Sequence, residues 1–258
     1  MSEQQSDRRP AALVTGGAIR LGKAIALSLA AAGYDIALHF RSDPDKAAAT
    51  ASEIRALGVR CQPFRADLAD PTTIPTLISA VATHFPGLNV LVNSASAYTQ
   101  ATIANTTAAV FDTQFGVNLR APLLLLQAYA EQLGQGNVIN IIDNKIGFNQ
   151  FEYAAYLLSK KALAELTRMA AVEFAPAIRV NGVAPGVVLP AGSRSPEYIA
   201  WRVQGIPLQR QGTTDQIGQA ILSLLANEFI TGQILVVDGG ESLTNTGQNA
   251  AQFDPEKI

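Results

Sequence analysis

The chain has 258 residues, 19 basic and 21 acidic side chains for a net charge of −2, and 48% apolar residues. That length buries a sizeable core and suits one open α/β sheet, while the near-balanced charge gives no electrostatic footprint for nucleic acid and no apolar run approaches the roughly 20 residues of a membrane span. The start MSEQQSDRRP has no signal-peptide core, and the single cysteine, Cys61, cannot form an internal disulfide, so a cytoplasmic protein is expected, with Cys61 a packed strand residue.

After a polar leader (1–10), AALVT (11–15) is the short apolar run of a parallel strand covered on both faces. GGAIRLG follows at once, then a helical AIALSLAAAG that ends at Gly33. Strand, glycine turn and helix open a nucleotide-binding βαβ unit: Gly16 allows a tight turn, Gly22 a close helix–strand approach, and the helix N-terminus offers unpaired amides to a pyrophosphate. The second strand, YDIALHF (34–40), ends in Arg41 and Ser42, where an adenosine ribose would lie. An acidic residue there suits a free 2′-hydroxyl and a basic one a 2′-phosphate, so Arg41 favours NADPH over NADH. An alanine-rich helix (45–57) precedes a third strand, VRCQPFRADL, with Asp67 at its carboxyl end. After a further helix to Phe85, LNVLVN is a buried strand and NSAS (93–96) a sharp turn, again at a carboxyl end, where ligands collect in open α/β sheets.

Residues 108–133 read as helical, with Asn118 an uncharged polar residue in an apolar stretch; its plain structural alternative is a core amide holding a kink before Pro122. The strand NVINIID ends in Asp143, and the next helix presents Tyr156 and Lys160, four apart and so on one face. An acid, a phenol and an ammonium therefore converge; the plain alternative for Asp143 is a strand-end aspartate capping the next turn. Pro176 closes that helix, and RVNGVAPG is a strand leading into a turn at Pro185 and Gly186. Residues 187–207 lack a period and read as a mobile, partly helical lid. TTDQIGQAILSLLAN is a helix capped by Thr213 or Thr214, ITGQILVVDGG supplies the final strand, and residues 244–258 form a polar tail. About seven such alternations predict a single-domain, Rossmann-type, doubly wound parallel α/β sheet (11–243) with helices on both faces and every notable polar group at one edge. No metal site is expected.

Taken together, TGGAIRLG (15–22), ADL (66–68), NSAS (93–96), Asn118, YLLSK (156–160), VAPG (183–186) and VDGG (237–240) resemble the short-chain dehydrogenase/reductase family. Arg20 stands where most of that family has glycine, and Asp143 where it has serine. Those departures, with NSASAY and HFRS, look like the pteridine reductases and the related dihydromonapterin reductases. The resemblance implies a catalytic group of Tyr156 as proton donor, Lys160 beside it to ease phenol ionisation and hold the nicotinamide ribose, Asn118 in a proton relay, and Asp143 in the serine's place. For the NADPH site it implies Gly16, Arg20, Leu21 and Gly22 in the turn, His39, Arg41 and Ser42 at the second strand, and Asp67 and Leu68 after the third. Asn93, Ser94, Ala95, Lys160, Pro185 and Gly186 complete that site. Ser96, Tyr98, Asp143 and Tyr156 would meet the substrate, with Tyr98 stacking on a flat ring.

An ionised aspartate cannot donate to a ketone oxygen as serine does. A dihydropterin instead takes hydride at ring carbon and a proton at ring nitrogen, which a carboxyl group can deliver alone or through Tyr156 and water. The expected activity is thus NADPH-dependent reduction of dihydropterins (dihydrobiopterin, dihydromonapterin or dihydrofolate); the resemblance also implies a homotetramer built on the helices carrying Asn118 and Tyr156. The alternatives are a carbonyl reductase of the same family and a non-catalytic NADPH-binding regulator.

Overall fold

The computed structural model describes residues 9–189, 194–244 and 253–254. Seven strands, β1 (Ala11–Val14), β2 (Asp35–Phe40), β3 (Cys61–Arg65), β4 (Leu88–Asn93), β5 (Gly136–Ile141), β6 (Ile178–Pro185) and β7 (Ile234–Val237), form one parallel sheet in the order β3-β2-β1-β4-β5-β6-β7. Strand order reverses between β1 and β4, which opens a crevice at their carboxyl ends.

Helices α1 (Arg20–Ala31), α2 (Pro44–Arg55) and α8 (Thr214–Ala226) cover one face; α3 (Thr73–His84), α5 (Ala121–Leu133) and α6 (Ala154–Glu173) cover the other. Strand β1 shows why its sequence lacks polar alternation. Ala12 and Val14 pack with Ile25 and Leu29 of α1 and Ile221 of α8, while Ala11 and Leu13 pack with Ile78 of α3 and Leu125 of α5. Both faces are core, and each fully buried Leu or Ile contributes about 2 kcal/mol. Cys61 is buried in β3, and burial pushes its thiol up to about 12, so it is an inert packing residue.

The stretch read as one helix over 108–133 is α4 (Ala108–Phe115), a π-helical turn (Gly116–Arg120) and α5. Pro122 has no N–H for the carbonyl of residue 118, and the Ala121 N–H reaches back to the Gly116 carbonyl, widening the turn. Within the stretch read as a lid, α7 (Pro196–Gln204) starts with Pro196 behind the Ser195 N-cap, whose Oγ accepts from Tyr198 N at 3.2 Å. Thr213 caps α8 through a reciprocal capping box with Gln216. The leader over 1–8, residues 190–193 of the expected lid, and the tail over 245–252 and 255–258 lie outside the described residues. From the tail, Phe253 packs its ring against Tyr198 and Trp201 of α7. Among the described residues, no helix is long and apolar enough to cross a membrane.

Candidate active site

The crevice begins where β1 ends. Thr15 Oγ1 accepts from Ser94 N at 2.9 Å and Ala95 N at 3.0 Å, tying the turn after β1 to the NSAS turn after β4. Ser94 and Ala95 thus reach the site through backbone. Gly16 has φ +62°, and a Cβ there would lie 3.0 Å from Ala95 Cα. A Cβ on Gly22 would lie 2.2 Å from the Gly16 carbonyl oxygen, so α1 meets the turn itself. Ile19, the α1 N-cap residue, has no side-chain acceptor for the first helical amides, which leaves that end suited to an anion; Leu21 lies within this first turn.

Arg20 carries a left-handed φ of +53°, which costs a non-glycine residue about 1 kcal/mol or more. Its Nη2 donates to the Leu189 carbonyl at 2.9 Å, so the side chain reaches from the glycine turn to the segment after β6.

The His39 ring, expected at the cofactor site, faces backbone on both sides. Both ring nitrogens are engaged by backbone: Nδ1 accepts from Gly16 N at 3.1 Å, and Nε2 lies 3.1 Å from the Ala66 carbonyl, a pairing that requires the neutral tautomer with hydrogen on Nε2. Burial lowers its pKa to about 4, against the opposing pull of the Ala66 carbonyl and Asp67. His39 is a splint between the turn after β1 and the end of β3. Arg41 and Ser42 are exposed just past β2. Arg65, not singled out by sequence reading, donates from Nε to the Arg41 carbonyl at 3.1 Å and adds a second guanidinium at this edge. The signal for it was a basic residue ending β3, where parallel register sets Arg65 opposite Phe40.

Asp67 Oδ1 caps its own turn, accepting from Ala69 N at 3.0 Å. Leu68 is a core side chain, so only its backbone can face the crevice. Asn93 is likewise turned into the sheet: its Nδ2 donates to Asn140 Oδ1 at 2.8 Å, and Asn140 in turn donates to Thr167 Oγ1 at 2.9 Å. Pro185 ends β6, and Gly186 lies so close to β7 that a Cβ would come 2.6 Å from Asp238 Cβ.

Asn118 lies buried in the π-helical turn. Its Oδ1 accepts from Ala97 N at 2.8 Å and Ser96 Oγ at 3.2 Å, and its Nδ2 donates to Ala97 O at 2.9 Å and Ser159 Oγ at 3.0 Å. The amide clamps the loop carrying Ser96 and Tyr98 onto α6.

At the end of β5 the three polar groups meet. Tyr156 OH donates to Asp143 Oδ2 at 2.7 Å, Asp143 Oδ1 accepts from Lys145 N at 2.9 Å, and Lys160 Nζ donates to the Ile141 carbonyl at 2.8 Å. Asp143 is therefore both a turn cap and the partner of the phenol. Burial raises the Tyr156 pKa well above the ordinary phenol value, and the Asp143 charge and hydrogen bond raise it further. The carboxylate touches the hydroxyl, while the Lys160 ammonium lies 5.9 Å from the Tyr156 ring centroid. Burial brings Lys160 down to about 8, with Asp143 opposing the shift.

Tyr98 stacks on Tyr153 (centroids 4.6 Å apart, 16° between planes) and meets Tyr156 edge-on at 4.7 Å. One face of the expected stacking platform is thus backed by Tyr153. Arg194 Nη2 donates to Tyr153 OH at 3.1 Å, and its guanidinium sits over the Tyr198 ring. Tyr153 and Arg194 were not legible as site residues, because nothing in their spacing brings them to Tyr98.

The acid–phenol–ammonium group can hold and move a proton. The tight turn, in which Gly16 and Gly22 let α1 and the Ala95 backbone approach with no room for a side chain, the uncapped start of α1 and the Arg41–Arg65 edge fit a phosphorylated dinucleotide.

Compared with known proteins, residues 17–242 match the family model described as enoyl-(acyl carrier protein) reductase. The chain is 34% identical to an uncharacterized oxidoreductase of Mycobacterium tuberculosis, over 91% of this chain and 92% of that one. It is 31% identical to the 3-oxoacyl-[acyl-carrier-protein] reductase of Staphylococcus aureus (89% and 96% covered) and 32% identical to pteridine reductase 1 of Leishmania tarentolae (93% and 98%). Among solved structures, FolM alternative dihydrofolate reductase 1 from Brucella suis, in complex with NADP, superposes with a TM-score of 0.87 at 34% identity, covering 91% of this chain and 96% of that one.

Proposed function

The chain belongs to the short-chain dehydrogenase/reductase family of oxidoreductases, and from that premise we propose that it is an NADPH-dependent reductase of dihydropterins. The observation that carries this reading is the 2.7 Å bond from Tyr156 OH to Asp143 Oδ2, an acceptor where a ketone reductase places a hydroxyl donor. The likeness to a pteridine reductase and to a dihydrofolate reductase solved with NADP supports it.

In this reading the Gly16–Gly22 turn and the start of α1 would hold the pyrophosphate of NADPH, and Arg41, Ser42 and Arg65 would hold its 2′-phosphate. When bound it supplies the hydride. The chain's own residues handle the proton. Tyr156 holds its hydrogen at neutral pH, since burial and Asp143 oppose ionisation. The Tyr156–Asp143 pair therefore keeps one transferable proton at the pocket until a ring nitrogen becomes basic enough to take it. Lys160, anchored on Ile141, offsets the negative charge left on the pair. Asn118 keeps Ser96 and Tyr98 in place, and Tyr98, backed by Tyr153, offers its remaining face to a flat ring. Exposed apolar side chains on α4 and α6 (Phe111, Leu158, Met169 and Val172) support pairing of these helices between copies in a homotetramer.

The likeness to a 3-oxoacyl-[acyl-carrier-protein] reductase favours a second reading, reduction of a ketone. NADPH oxidation followed with dihydrobiopterin, dihydromonapterin, dihydrofolate and a panel of ketones separates the two. Turnover of at least one dihydropterin faster than every ketone is expected; turnover of ketones alone establishes the second reading.

A further inference from the structure

We propose that Arg202, Glu241 and Asn144 form a positioning relay that holds the Asp143 carboxylate against the Tyr156 hydroxyl, so that proton handling at the site depends on an ion pair remote in sequence. Arg202, on α7, and Glu241, in the turn after β7, are both buried, with 4% and 2% of their side chains exposed, and Arg202 Nη2 meets Glu241 Oε1 at 2.5 Å. Glu241 Oε2 accepts from Asn144 Nδ2 at 3.0 Å, and the same amide lies 3.2 Å from Asp238 Oδ2. Asp238 is itself anchored by Gly240 N at 2.9 Å and Ser242 N at 2.7 Å. Asn144 follows Asp143 directly, inside the turn that Asp143 caps: one carboxylate oxygen takes Lys145 N, and the other takes Tyr156 OH from α6. Where Asn144 is held therefore sets the turn that carries the Asp143 carboxylate toward Tyr156.

A buried ion pair gives no more stability than well-packed apolar residues of similar volume. What this pair adds is direction, because Arg202 orients one oxygen of Glu241 and leaves the other aimed at Asn144. The network also involves two of the sequence motifs, VAPG and VDGG. Gly186 of VAPG must be glycine, since its Cβ would come 2.6 Å from Asp238 Cβ and 3.5 Å from Asn144 Nδ2, and Asp238 of VDGG anchors the amide from the other side. Burial lowers the Lys145 pKa, and Asp143, Arg202, Glu241 and Glu152 act on the same ammonium to smaller effect.

The proposal rests on Asp143 handling the proton, and its test is read without substrate. Tyrosine labelled with 13C at Cζ, with the Tyr156 resonance assigned through Tyr156→Phe, reports the Tyr156–Asp143 bond directly. In Asn144→Ala and Glu241→Gln the Tyr156 resonance is expected to move and its ionisation to begin at lower pH, while Arg202→Lys stays near wild type. NADPH affinity should hold within about twofold, and kcat on whichever substrate the wild type reduces should fall about tenfold with little change in KM. A folded Asn144→Ala protein whose Tyr156 resonance and titration coincide with wild type overturns the proposal, as does a parallel loss of NADPH affinity in both variants. If Glu241→Gln does not fold, Asn144→Ala decides the matter, because it leaves the ion pair intact. Absence of pterin turnover by the wild type would instead count against the substrate reading alone.

Discussion

The proposed chemistry turns on Asp143. Serine in its place would donate a hydrogen bond; the carboxylate accepts one and so keeps the Tyr156 proton at the pocket. Replacement by alanine should lower kcat about 100-fold or more while leaving the NADPH dissociation constant within about threefold. Steady-state kinetics beside cofactor fluorescence titration checks this, and equal activity would remove Asp143 from the mechanism. Lys160 sets a second expectation. Its folded pKa is lowered to about 8, so it carries its charge below that pH and loses it above. The rate, kcat/KM against pH at saturating NADPH, should therefore fall on the alkaline side with a midpoint near 8, and Lys160→Ala should abolish that limb along with most of the activity. Tyr156 and Lys160 were legible in the sequence because helical spacing alone puts them on one face. That Tyr156 leans on Asp143 rather than on Lys160 was not legible, since it depends on where the end of β5 lies relative to α6.

At the scale of elements, the parallel register of β2 and β3 decides which groups share the edge proposed for the adenosine 2′-phosphate. Arg41 is the residue the strand pattern points to, whereas Arg65 enters through its bond to the Arg41 carbonyl. Arg65→Ala should weaken NADPH binding about tenfold and leave NADH binding nearly unchanged, as expected for loss of one guanidinium–phosphate contact. Equal losses for both cofactors in a titration would assign Arg65 to the scaffold. The glycine turn was readable from sequence because glycine is required wherever a Cβ collides. His39 was not, because a histidine ending a strand reads alike whether its ring faces a ligand or, as here, two backbone groups.

For the whole molecule, His39 joins the ends of three neighbouring strands and is held neutral. Its folded pKa of about 4 lies below the ordinary value of 6.5, so protons bind the unfolded chain first. Stability from this group is complete above pH 6.5 and is lost as pH falls toward 4, by about 3 kcal/mol in total. Denaturant unfolding of the wild type and His39→Gln across that window measures it: the variant should show a shallower acid loss, and identical slopes would refute the assignment.

The sequence by itself determined the doubly wound sheet, the glycine turn and the Tyr156–Lys160 face, because these follow from local periodicity, steric exclusion and fixed helical spacing. Only the tertiary structure decided that Asn118 clamps the Tyr98 loop, that Asn93 and Leu68 turn inward, that Tyr153 backs Tyr98, and that Arg202 and Glu241 reach Asn144. Each of these joins segments far apart in the chain. Such pairings depend on how helices seat against the sheet, and no local pattern of residues encodes them.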